Sequence, residues 1–239
     1  MTAFADDPLL GLMTDQTDRL LQTVATLQDA DLRAPSLLPG WTRGHVLTHV
    51  ARNADGLGNV VRSALTGETI PMYASTESRN ADIETGAGRS PADLEADLES
   101  SAERLLALLA DVPADRLDAV VPTGRGWDLA IHEVPWMRLR EVTYHHVDLG
   151  AGFGFADLPG EVLRRGLREC PPRLGDVVPG AALLARSPDG DDVELPVGDG
   201  AVPVEGTAAD VLAWLTGRSS GDGLTTRGDV PLPPLPSWG

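Results

Sequence analysis

The sequence predicts a mainly α protein, with a four-helix bundle over residues 1–152 followed by a small α+β domain over 153–239. Three observations predict it. Four segments carry apolar residues at the 3.6-residue period of a helix. After Gly150-Ala151-Gly152-Phe153-Gly154 the pattern switches to short strand-like runs. Two of the helical segments carry metal-ligating residue types at i, i+4 spacing, which places them on one face.

The first helix is expected over 8–30, with apolar positions at Leu9, Leu10, Met13, Leu20, Leu21, Val24 and Leu27, ended by Asp29-Ala30-Asp31. A Leu37-Leu38-Pro39-Gly40-Trp41 turn then delivers the chain to Thr42, a good N-cap for a second helix running to about Leu65. Residues 66–89 are polar and broken by Pro71, and are expected to form a long loop carrying Arg79. Ser90-Pro91 opens the third helix, with Leu94, Leu98, Leu105, Leu106 and Leu109 on one face. Residues 120–127 read as extended and turn-like. The fourth helix begins near His132 and closes at Gly150. Beyond it lie a helix over 158–168, strands over 181–185, 192–197 and 201–205, a turn at 187–191, a helix over 208–216 and an extended proline-rich tail over 231–238.

Composition narrows the function. No apolar run approaches the ~18 residues of a membrane span. A net charge of -17 argues against nucleic acid or an anionic membrane as partner. The acidic N-terminus is unlike a secretory signal, so a cytoplasmic protein is expected. All nineteen cations are arginines, which excludes Schiff-base lysine chemistry and a lysine-bearing phosphate loop. The single Cys170 excludes an intramolecular disulfide and a thiolate-rich zinc site. An anionic substrate must therefore be gripped by arginine, helix N-termini or metal.

Glu141 and His145 stand one turn apart on the fourth helix, and His45 and His49 repeat that spacing on the second. Such a pair also serves simply as a helix-stabilising contact. Concentration favours the metal: four of the five histidines fall in these two helices. Imidazoles with one carboxylate suit zinc first, with manganese, iron or nickel as the other metals this set can take, and three protein ligands leave a coordination position open, the catalytic arrangement. His146 is about 100° round the helix from His145 and cannot share its geometry.

The blocks Leu38-Pro39-Gly40-Trp41-Thr42-Arg43-Gly44-His45, His49 to Ala54, Gly67 to Tyr73, Arg79-Asn80, Trp136 to Gly150 and Gly217 to Gly223, with the closing Pro-Trp segment, resemble the mycothiol-dependent maleylpyruvate isomerase family. The resemblance runs over nearly the whole chain. It implies a DinB-like four-helix bundle, from a superfamily of metal-dependent thiol transferases, joined to a sterol-carrier-like α+β domain. It implies His49, Glu141 and His145 as zinc ligands, and Arg79 and Arg218 as substrate or thiol contacts at a site where the domains meet. It gives His45 a supporting or packing role and His146 none. The implied cofactors are zinc and mycothiol, the implied partners a small-molecule thiol and a small anionic or electrophilic substrate, and the implied setting gentisate catabolism. The expected reaction is thiolate addition to the cis double bond of maleylpyruvate, rotation about the new single bond, and elimination to fumarylpyruvate. A mycothiol S-transferase for another electrophile and a non-catalytic zinc-binding protein are the alternatives.

Overall fold

The computed structural model of the chain describes residues 3–4, 7–174, 181–186, 193–197, 202–226, 231–232 and 234–235, and it divides into two units, Met1–Gly152 and Phe153–Gly239. In the first unit α1 (Pro8–Val24) is capped by Asp7, whose side chain accepts from the Leu9 N–H. The predicted first helix is too long. A turn at 25–28 breaks it, and Asp29–Arg33 forms a separate short helix, α2, held by a Gln28/Asp31 capping box and an Arg33–Asp29 pair one turn apart.

α3 (Arg43–Thr66) starts from Thr42, as the capping residue requires, and ends on Gly67. Residues on all its sides are buried, so it is the central helix of the unit. The expected loop over 66–89 is corrected: Thr76–Gly86 is a helix, α4, capped by Ser75. It has no apolar stripe, since only Ile83 and Gly86 are buried, and so it leaves no periodic signal. It is held by close approach instead. Gly44 of α3 lies against the carbonyl of Ala87, and Gly86 lies against the Thr48 side chain, where a Cβ at either position would collide.

α5 (Pro91–Ala110), capped by Ser90, buries the expected Leu94, Leu98, Leu105 and Leu109, whereas Leu106 is only half-buried. The 120–127 stretch belongs to a hairpin of β1 (Val120–Pro122) and β2 (Asp128–Ala130), whose loop turns through Gly124 and Gly126 at positive φ. α6 (Val134–Asp148) follows a 3-10 turn over Ile131–Glu133. α3 packs on α5 and α6, and α1 closes a four-helix ring against the same two. Leu20, Val46, Leu47, Val50, Leu94, Leu98 and Val142 fill its interior. Each is worth up to about 1.5–3 kcal/mol of burial.

The second unit is α+β. α7 (Gly160–Leu174) packs on α8 (Ala208–Leu215), and a four-stranded sheet is built from β3 (Ala181–Arg186), β4 (Val193–Val197), β5 (Val202–Thr207) and β6 (Thr225–Thr226). The strand order is β4-β3-β5-β6, with β3 and β5 parallel and the other pairs antiparallel. α8 starts on Thr207, whose hydroxyl accepts from Asp210 N–H. The turn expected at 187–191 lies outside the described residues, as does half of the 231–238 tail. Among the described residues no helix is long and apolar enough to cross a membrane.

Candidate metal centre

α3 and α6 bring His49, Glu141 and His145 together. Nε2 of His49 lies 3.0 Å from Nε2 of His145 and 3.2 Å from Oε2 of Glu141, and the third edge, His145 Nε2 to Glu141 Oε2, is 3.5 Å. Among the described residues this is the one group of three His, Cys, Asp or Glu side chains placed to hold a metal ion. A four-coordinate zinc with bonds of about 2.0–2.1 Å holds its donors about 3.3–3.4 Å apart, close to this triangle.

The electrostatics prepare the donors. Burial drives the pKa of His49 down to about 4, helped by the neighbouring His145 and Arg79, so its imidazole is neutral at pH 7. Burial pushes Glu141 upward, but hydrogen bonds from His145 and His49 outweigh it and hold the carboxyl well below the ordinary range. Burial also disfavours a charged His145, yet Asp148 and Glu141 more than offset it and raise its pKa. Asp148 is fully buried and accepts from Nδ1 of His145 at 2.8 Å, which leaves Nε2 of a neutral His145 as the ligand atom. Its position three residues after His145 on the same helix face is the signal by which sequence reasoning could have found it.

Trp41 packs edge-on against His49 and stacks on His45. Arg138, buried within the bundle, donates to the Val50 carbonyl at 2.6 Å and to Asn53 at 3.1 Å, tying α6 to α3 beside the ligands. Its pKa is lowered to about 10, chiefly by burial, so it remains a cation near Glu141.

Arg79 on α4 reaches the cluster, its Nη2 lying 3.0 Å from Nδ1 of His49. A guanidinium only donates, so this contact puts the His49 proton on Nε2. Coordination through Nε2 requires the opposite tautomer, and Arg79 must turn from Nδ1 for His49 to bind a metal. Nε of Arg79 is buried with no hydrogen-bond partner, so the side chain has a donor ready for an incoming anion. Arg218 belongs to the second unit, past the end of α8, where its Nη1 donates to the Thr216 carbonyl.

The other two histidines of these helices are structural. His45 accepts from the Thr42 N–H through Nδ1, completing the N-cap of α3, and its Nε2 pairs with Glu84 of α4 at 3.2 Å. His146 is buried, pointing to α1, with Nε2 2.8 Å from the Thr23 hydroxyl.

Asp148→Asn is expected to keep the fold and metal stoichiometry but weaken metal affinity by about 10- to 100-fold, because the charge that orients His145 is gone. Chelator competition measures this. Unchanged affinity would show that Asp148 does not support His145.

A ring of four helices whose facing histidines and glutamate meet between α3 and α6, followed by a small α+β unit, defines a DinB-like enzyme. Residues 13–150 match the family described as the mycothiol maleylpyruvate isomerase N-terminal domain. Two solved structures align over 98% of this chain and 99% of their own, each with a TM-score of 0.83: a mycothiol-dependent maleylpyruvate isomerase at 36% identity, and a histidine-to-alanine mutant of that isomerase at 35%. No curated protein matches. The chain belongs to the mycothiol maleylpyruvate isomerase family.

Proposed function

We propose that this chain converts maleylpyruvate to fumarylpyruvate with mycothiol as its thiol, using zinc held by His49, Glu141 and His145. The observation that carries the reading is the triangle of His49, His145 and Glu141 donors, 3.0 to 3.5 Å apart, inside a bundle of this family. Zinc bound there would hold a thiol as its thiolate at neutral pH, far below the usual pKa of about 8.5.

The chain's own residues do the rest. Burial keeps His49 neutral and Asp148 orients His145, so both imidazoles can present an Nε2 lone pair to the ion once Arg79 has left Nδ1 of His49. Trp41 shields one side of His49 from water. Arg79, released from Nδ1 of His49, is placed to pair with a substrate carboxylate and with the enolate oxygen that develops when the double bond is saturated. Rotation about the resulting single bond and elimination complete the isomerisation. Arg218 is a proposed further substrate contact on the resemblance alone. We place the protein in the cytoplasm, acting in gentisate catabolism.

The test is turnover. Purified protein is expected to carry about one zinc per chain and to convert maleylpyruvate to fumarylpyruvate only when mycothiol is present. Zinc-loaded protein that leaves maleylpyruvate unchanged while conjugating other electrophiles to mycothiol would be an S-transferase instead.

A further inference from the structure

Beside the metal centre the first unit contains a cavity of about 230 Å³, lined by Pro71, Tyr73, Ser75, Arg79, Gly124 and Arg125. Three stretches build it, two of them consecutive in the chain. Met72 and Tyr73 press on α3 at Gly56, where an added Cβ would lie 2.9 Å from the Met72 side chain and 3.1 Å from the Tyr73 ring. Gly124 of the hairpin loop stands against Pro71, where a Cβ would come within 2.9 Å of its ring. The backbone bond from Met72 N–H to the Thr123 carbonyl fixes the hairpin to this segment. The third wall is the start of α4.

The charged side chains that line this cavity are both arginines, although the Glu141 carboxylate of the neighbouring cluster also acts on Tyr73. The guanidinium carbon of Arg79 lies 5.6 Å from the centre of the Tyr73 ring, and that of Arg125 lies 5.8 Å from the same centre. Tyr73 is thus a shared platform for two cations. In a chain of net charge -17, arginines are readily matched by acids, as Arg52 and Arg89 are by Asp97. Among the described residues neither Arg79 nor Arg125 has a carboxylate within ion-pair distance, and Nε of Arg79 is buried without an acceptor. Two guanidiniums kept together on one ring repel each other until an anion joins them. The first turn of α4 adds backbone N–H groups at the same wall.

We propose that Arg125, together with Arg79 across Tyr73, forms a carboxylate subsite beside the metal centre, and that Arg125 makes the protein select dicarboxylates over monocarboxylates. This deepens the isomerase reading and rests on it for the identity of the natural substrate. Arg79 reaches the metal cluster through His49, so it serves the carboxylate nearer the reacting double bond. Arg125, exposed on the hairpin loop, serves the farther one. The residue lies in the Thr123-Gly124-Arg125-Gly126-Trp127 turn, whose glycines at positive φ aim the loop rather than fill a core.

The test is equilibrium binding of maleate and isocrotonate, a dicarboxylate and a monocarboxylate that share the cis double bond, to the zinc-loaded full chain and to its R125A and R125K variants. R125A is expected to bind maleate about 10- to 100-fold more weakly, the worth of a lost charge-assisted contact, while isocrotonate affinity stays within about twofold. R125K recovers part of the loss, since the charge remains but the planar fork does not. Equal maleate affinity in wild type and R125A overturns the proposal, as does an equal loss for both ligands. Because Arg125 is exposed, R125A is expected to melt with the wild type. Wild type that shows this discrimination but leaves maleylpyruvate unchanged keeps the subsite and ends the isomerase reading. An active enzyme whose KM is indifferent to R125A does the reverse.

Discussion

His49→Ala is expected to strip the protein of zinc and to abolish isomerisation, because it removes one of the three metal-ligating side chains that meet at the centre among the described residues. The two remaining donors, Glu141 and His145, stand on one helix, so nothing on α3 is left to close the site. Loss of a supporting partner alone weakens metal binding by about 10- to 100-fold, and loss of a ligand should exceed that. The fold should survive: the imidazole is neutral, and its removal leaves a hole beside Trp41 costing roughly 1–3 kcal/mol. His45→Ala is the control, one turn away on the same helix. It removes the N-cap partner of Thr42 and the tie to Glu84, at a cost of about 0.5–2 kcal/mol, but should leave zinc bound. Elemental analysis after gel filtration, set beside turnover, separates the two variants. Zinc and activity both intact in His49→Ala would sink the ligand assignment.

The parts of this protein legible in its sequence are those whose signal is local. Thr42 and Ser90 announce the starts of α3 and α5 by the capping chemistry of their own side chains. The i, i+4 spacing of Glu141 and His145 follows from helical period, as does the exclusion of His146, which faces Thr23 of α1. What escaped depends on partners distant in the chain. α4 is hidden because its place is set by Gly44 and Gly86 allowing backbone to approach, not by an apolar stripe. Arg125 joins Arg79 only once the hairpin folds onto the segment after Pro71. The break between α1 and α2 was masked by Leu27, which keeps the apolar period through a turn.

Gly44→Ala is expected to lower stability and loosen substrate binding while leaving the metal in place. Its new methyl would run into the carbonyl oxygen of Ala87. That atom is backbone at the end of α4, so no rotamer change relieves the overlap. Either α4 backs away from α3 or the helix end distorts, and insertions of this kind cost about 1–3 kcal/mol. For a chain of this size that lowers Tm by roughly 2–4 °C per kcal/mol. The displaced helix carries Arg79 and the Glu84 partner of His45, whereas the three proposed ligands sit on α3 and α6. KM for maleylpyruvate should therefore rise with zinc stoichiometry unchanged. Gly11→Ala supplies the contrast: Gly11 is exposed within α1 with nothing within 4 Å of a new Cβ. There the same chemical change should stabilise by up to about 1 kcal/mol through helix propensity. If thermal melting placed both variants together, the close crossing of α3 and α4 would not be what holds Arg79 against His49.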